Sequence, residues 1–127
     1  MAALGGDLAC GYFVEPTLFA DVDPSSDIAQ QEVFGPVLCV FRFRDEAEAI
    51  ELANGTAYGL AAYVQTNDLK RAHRLAAELV SGVVHVNGAP NVHAAAPFGG
   101  IGLSGFGREG GKAGLDEFLR VKTVGIA

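Results

Sequence analysis

Short apolar bursts alternate along the chain with stretches whose apolar positions recur every three or four residues, and the two spacings predict strands and helices in turn. Residues 11–20 hold an aromatic and β-branched run broken by Pro16, which suits an extended edge segment better than a helix. Ser25 or Ser26 is placed to cap a short helix reaching Gln30. Phe34-Gly35-Pro36 then forces a turn, since glycine and proline both interrupt regular structure. The dense apolar run over 37–43 predicts a strand. Asp45 follows as an N-cap with Glu48 three positions on, a variant of the capping box, so a helix should run to about Ala53. Ala47, Ile50 and Ala53 form its expected buried stripe, and Asn54-Gly55 offers left-handed residues for its end.

The alternation continues with a strand over 60–64. Asn67 is the expected cap of a second helix, whose apolar residues Leu69, Ala72, Ala76 and Leu79 share one face and which ends at Ser81-Gly82. A strand over 83–86, a glycine-rich loop over 97–107, a third helix over 115–119 and a closing strand over 121–126 complete the pattern. Strands alternating with helices, and short apolar strands dense enough to be buried on both faces, predict an α/β class with helices flanking a largely parallel sheet.

Composition narrows the functional classes. The chain has 127 residues, 15 acidic and 9 basic, for a net charge of −6. Phosphate neutralisation needs a basic stripe, and the one cluster, Lys70, Arg71 and Arg74, reads as a solvated helix face, so nucleic acid is not an expected partner. No apolar run is long enough for a membrane span, and no charged leader precedes one. Cys10 and Cys39 lack C-x-x-C spacing, which points to a reducing, cytoplasmic setting. Cys39, inside an apolar strand, reads as a small core residue. His73, His85 and His93 have no neighbouring Cys or Asp at ligand spacing, so no metal is expected.

The loop from Pro97 to Gly111 contains G-x-G-x-x-G twice, at Gly100, Gly102 and Gly105 and again at Gly105, Gly107 and Gly110. That fingerprint binds a dinucleotide when a strand runs straight into the first glycine and a helix opens from the last. Here the preceding strand ends near Val86 and two prolines intervene, while the position where the ribose-binding acid should follow the second match is Gly125. The plainer reading is a loop whose glycines permit tight turns and close backbone approach.

Four stretches carry a resemblance. Gln31-Glu-Val-Phe-Gly-Pro-Val37 is similar to the E-E-[IV]-F-G-P-V stretch of the aldehyde dehydrogenase superfamily, with Gln31 departing from the usual first Glu. Asn54-Gly-Thr-Ala-Tyr-Gly-Leu-Ala-Ala62 resembles A-N-x-x-x-Y-G-L-A-A, Gly82-Val-Val-His-Val-Asn87 resembles G-x-V-x-V-N, and the loop beginning at Pro97 matches P-F-G-G-x-x-x-S-G-x-G-R-E-x-G.

The resemblance implies a fragment of an oxidoreductase that converts an aldehyde to a carboxylic acid with NAD or NADP through a cysteine thiohemiacetal. Residues 1–120 would be the C-terminal part of its catalytic domain, and 121–127 an oligomerisation strand pairing with a neighbouring subunit of a homo-oligomer. By motif position Glu32 holds the nicotinamide ribose hydroxyls, Phe34 lies near the nicotinamide ring, and Phe98 lines the aldehyde tunnel. Asn91, Val92 and His93 sit in the preceding loop, where members vary with substrate. Arg108 and Glu109 fall in the turn leading to the last helix. No catalytic residue is assigned, since the family's cysteine and general base lie upstream of these motifs, so the chain alone is expected to be inactive. It is also expected to self-associate or exchange strands, because segments that would cover its sheet lie outside it. The alternative is a stand-alone assembly or interaction module that keeps the fold without the chemistry.

Overall fold

The computed structural model describes residues 6–8, 10–88 and 93–127. They divide into two compact units, Met1–Gly55 and Thr56–Ala127.

In the first unit, β1 (Thr17–Ala20) pairs in parallel with β2 (Val37–Val40), Thr17 opposite Val37 and Ala20 opposite Val40. Only the part of the apolar run beyond Pro16 joins the ladder, and β2 stops short of the expected Phe43 because its partner offers four residues. Between them lies α1 (Asp27–Gln30), with Ser26 at its N-cap. The Ser26 hydroxyl donates to the Asp23 carbonyl at 2.6 Å and caps nothing, while the Asp23 carboxylate accepts from the Ser25 amide and hydroxyl. Those two bonds hold the Asp23 carboxyl below the usual range.

Next comes α2 (Glu46–Asn54), capped as expected by Asp45, whose Oδ1 accepts from the Glu48 amide at 3.0 Å. The reciprocal arm of the box is shifted by one residue: Glu48 Oε2 accepts from the Arg44 amide at 2.6 Å and from Arg44 Nε at 3.0 Å. The helix ends without a left-handed residue, since Gly55 has φ −79 and its amide donates to Leu52 O. Its half-buried side is Ala49, Ile50 and Leu52, whereas Ala47 and Ala53 are exposed, so the sequence stripe was rotated by about one residue.

The second unit holds β3 (Tyr58–Gly59), β4 (Ala61–Val64), α3 (Leu69–Glu78), β5 (Val83–Val86), β6 (Ile101–Gly102) and α4 (Gly111–Asp116). β4 and β5 run parallel in register, Ala61 opposite Val83 and Val64 opposite Val86. Asn87 extends that pair with its side chain: Oδ1 accepts from the Thr66 amide at 2.8 Å and Nδ2 donates to Thr66 O at 2.6 Å. The cap of α3 is Asp68 and not Asn67, because Asp68 Oδ1 reaches the Lys70 and Arg71 amides at 2.9 and 3.1 Å. α3 stops at Leu79, before Ser81-Gly82. β3 and β6 form a two-residue antiparallel ladder that brings part of the glycine-rich loop into a sheet. α4 starts four residues before the expected helix, from Gly110 at φ 75.

Two of the three strand pairs are parallel and helices connect their strands, so the α/β class holds. Burial departs from the sequence reading. Val64, at 8% exposure, is the buried apolar side chain among the described residues, while Leu18 and Leu38 stand 62% and 61% exposed on one face of the β1–β2 pair. Val37 and Cys39 on the other face are half-buried, so the pair is not enclosed on both faces as expected. The closing strand over 121–126 is not formed: those residues are exposed and outside any ladder, and a strand requires a partner's hydrogen bonds. Among the described residues no helix is long and apolar enough to cross a membrane.

Candidate functional site

Glu32 and Phe34 come together on the connection between α1 and β2. Two features shape it. Pro36 closes a tight turn in which the Val37 amide donates to Gly35 O at 2.7 Å, and Pro36 O accepts from the Thr17 amide at 2.8 Å, which anchors the turn to the start of β1. Phe34 itself sits at φ 50, in the left-handed region that bulky residues avoid, and its ring is 90% exposed. Strain of this kind, of order 1–3 kcal/mol, persists where the surrounding chain over-determines it and clusters at binding sites.

The connection borders an open concavity of about 270 Å³ whose lining includes Ile28, Glu32, Phe34, Val37 and Cys39. Glu32 lines the concavity, and among the described residues nothing hydrogen-bonds its carboxylate, which leaves its oxygens available as acceptors. An acceptor pair beside an apolar ring suits a ligand that joins a diol to a flat heterocycle, and a nicotinamide riboside has that form.

Cys39 was expected in the core. It is half-buried and borders the concavity, with its thiol donating to Ile28 O at 3.6 Å. Strand alternation could have found it, because Val37 and Cys39 share one face of β2 and both reach the same hollow.

Phe98 belongs to the second unit and is half-buried. Its amide donates to Glu109 O at 2.7 Å and its carbonyl accepts from the Glu109 amide at 2.8 Å, an isolated antiparallel rung. Asn91 and Val92 lie outside the described residues. His93 is exposed and its Nδ1 accepts from the Ala95 amide, which assigns it to a local turn. His73 is exposed on α3, and His85 stacks on Tyr63 with ring centroids 5.2 Å apart. Among the described residues no group of three or more His, Cys, Asp or Glu could hold a metal ion. Arg108 and Glu109 do not pair with one another: the Arg108 guanidinium instead donates to two backbone carbonyls.

Close backbone approach requires glycine at several positions of this unit, Gly82 and Gly99 among them. A Cβ on Gly82 would lie 1.7 Å from Gly99 O, and one on Gly99 would lie 2.4 Å from Gly107 O, so the start of β5 and both limbs of the loop are layered backbone to backbone.

The family model of the aldehyde dehydrogenase family matches residues 2–124, and the chain belongs to that family. It is 50% identical over 117 residues to 3-succinoylsemialdehyde-pyridine dehydrogenase of a Pseudomonas species, covering 92% of this chain and 24% of the relative. Among solved structures, an aldehyde dehydrogenase from Bacillus cereus in complex with NAD+ is 47% identical with a TM-score of 0.85, covering 90% of this chain and 23% of that one. A mutant aldehyde dehydrogenase C from Pseudomonas syringae complexed with NAD+ and octanal is 44% identical with a TM-score of 0.84, at 90% and 23% coverage. The chain thus spans about a quarter of the length of the relatives it matches.

Proposed function

We propose that the chain forms the part of an aldehyde dehydrogenase that holds the nicotinamide end of NAD or NADP and one wall of the aldehyde site. The thiol nucleophile and general base would come from polypeptide outside these residues. The overall reaction converts an aldehyde, water and NAD(P)+ to a carboxylic acid, NAD(P)H and a proton.

The observation that carries this reading is the pairing of the Glu32 carboxylate and the exposed Phe34 ring on one concavity. Glu32 would accept hydrogen bonds from the two vicinal ribose hydroxyls, and charge-assisted bonds of this type contribute about 1.5–3 kcal/mol each. Phe34 would supply an apolar face against the ring. Phe98, with Val92 and Asn91 in the loop before it, would line the aldehyde side, where an apolar wall suits a hydrocarbon tail. The exposed tail with Val121, Val124 and Ile126 is proposed to pair with a second copy in a homo-oligomer, an edge available for strand addition.

The test replaces the matching segment of the Bacillus cereus enzyme with this chain and follows NADH formation. Activity is expected, and Glu32→Ala should lower kcat or raise the KM for NAD+ by about tenfold or more, equivalent to roughly 1.4 kcal/mol. Unchanged kinetics toward both cofactor and aldehyde would remove Glu32 from the site.

A further inference from the structure

The rung between Phe98 and Glu109 is a single pair of backbone hydrogen bonds at the neck of the glycine-rich loop, whose further residues Ile101 and Gly102 pair with β3. In a regular antiparallel ladder the next hydrogen-bonded pair would join the residues two steps inward on each limb, here Gly100 and Gly107. That rung is absent. In its place the carbonyls of Gly100 and Gly107 both accept from Arg108 Nη1, each at 2.8 Å. One nitrogen of the guanidinium therefore does the work of the missing pair.

The surroundings are built to admit it. Gly99 has no side chain where a Cβ would lie 3.0 Å from Arg108 Cδ and 3.1 Å from Nη1. The Arg108 backbone is itself held, since its amide donates to Glu117 Oε1 at 3.2 Å just beyond α4. Arg108 is half-buried, so water competes less for its donors than at an exposed site.

We propose that Arg108 is a positioning residue for aldehyde binding: by bridging the carbonyls of Gly100 and Gly107 it closes the loop and fixes the backbone that carries Phe98. The proposal rests on the reading of Phe98 as a wall of the aldehyde site. Arg108 touches neither aldehyde nor cofactor, and it acts through the position of one ring.

Two measurements test it. In the 127-residue chain, Arg108→Met keeps much of the stem and removes the donors. Amide hydrogen exchange at Phe98 and Glu109 should then accelerate about tenfold or more, while the β5 amides keep their rates. Arg108→Lys, which retains an ammonium able to donate to both carbonyls, should restore part of the protection, and it carries the test if the Met variant does not fold. In the chimera with the Bacillus cereus enzyme, Arg108→Met should raise the KM for octanal about tenfold, leaving the KM for NAD+ within about twofold. The same change made on top of Phe98→Ala should move the octanal KM by less than about twofold, because the ring through which Arg108 acts is gone.

An equal effect of Arg108→Met in both backgrounds, or unchanged exchange at Phe98 and Glu109, would overturn the proposal. An inactive parent chimera would count against the functional reading instead, and the exchange rates in the isolated chain would still decide whether Arg108 holds the rung.

Discussion

Gly82→Ala should loosen the second unit from a single methyl group. The added carbon would lie 1.7 Å from Gly99 O and 2.8 Å from Gly99 C, where real contacts stay beyond about 3 Å. Both obstructing atoms are backbone, so no rotamer change relieves the clash, and the limb carrying Gly99 must retreat by more than an ångström. Overpacking of this kind costs about 1–3 kcal/mol. The Gly82 amide also donates to Gly59 O at 3.0 Å, and straining that bond forfeits part of the roughly 0.5–1.5 kcal/mol that such a bond contributes. Together these give about 2–3 kcal/mol. At 1.4 kcal/mol per factor of ten, amides of β4 and β5 should exchange with solvent roughly 30- to 150-fold faster, measured residue by residue by NMR. Gly125→Ala is the control, because a Cβ there meets nothing within 4 Å and the backbone is not left-handed. If Gly82→Ala and Gly125→Ala exchanged at the same rate, the layered-backbone account would be wrong.

Acid should fray the start of α3. The Arg71 amide bond, with that of Lys70, holds the Asp68 carboxyl below its ordinary value, so the cap's contribution is complete above the ordinary aspartate range and is lost as pH falls through the depressed native value. Amide exchange at Lys70 and Arg71 should therefore rise below roughly pH 4, and Asp68→Asn, which keeps an N-cap oxygen, should remove that pH dependence. Removing residues 121–127 should lower the apparent mass seen by size-exclusion chromatography with light scattering, and a mass that is unaffected would argue against strand pairing through the tail.

Features set by neighbours in sequence were readable without the structure. Asp45 reaches Glu48 across one turn, and Val83–Val86 is a self-contained apolar burst. Errors arose where adjacent residues compete or where the partner is distant. Asn67 and Asp68 are both able caps, and only the backbone path decides which side chain meets the Lys70 and Arg71 amides. β3 and β6 are two residues long and find one another across some forty positions, which no local period reveals. Glu32, Phe34 and Phe98 were assigned through motif resemblance. The structure adds that the first two share a hollow with Cys39, and that Arg108 bridges the Gly100 and Gly107 carbonyls next to the rung at Phe98. The guanidinium bridge has no sequence signature, since an arginine followed by glutamate suggests an ion pair and says nothing of carbonyls on either limb of a loop.

The scarcity of enclosed hydrocarbon has a calorimetric consequence. Heat-capacity change on unfolding is dominated by newly wetted apolar surface and averages about 12–15 cal/mol/K per residue in globular domains. With Val64 as the buried apolar side chain among the described residues, and with Leu18, Leu38 and Phe34 already in contact with solvent, melting wets less dry surface than it does in a domain with an enclosed core. The free-energy curve of this chain against temperature should accordingly be shallow, with cooling weakening it less than it weakens a domain organised around an oily centre.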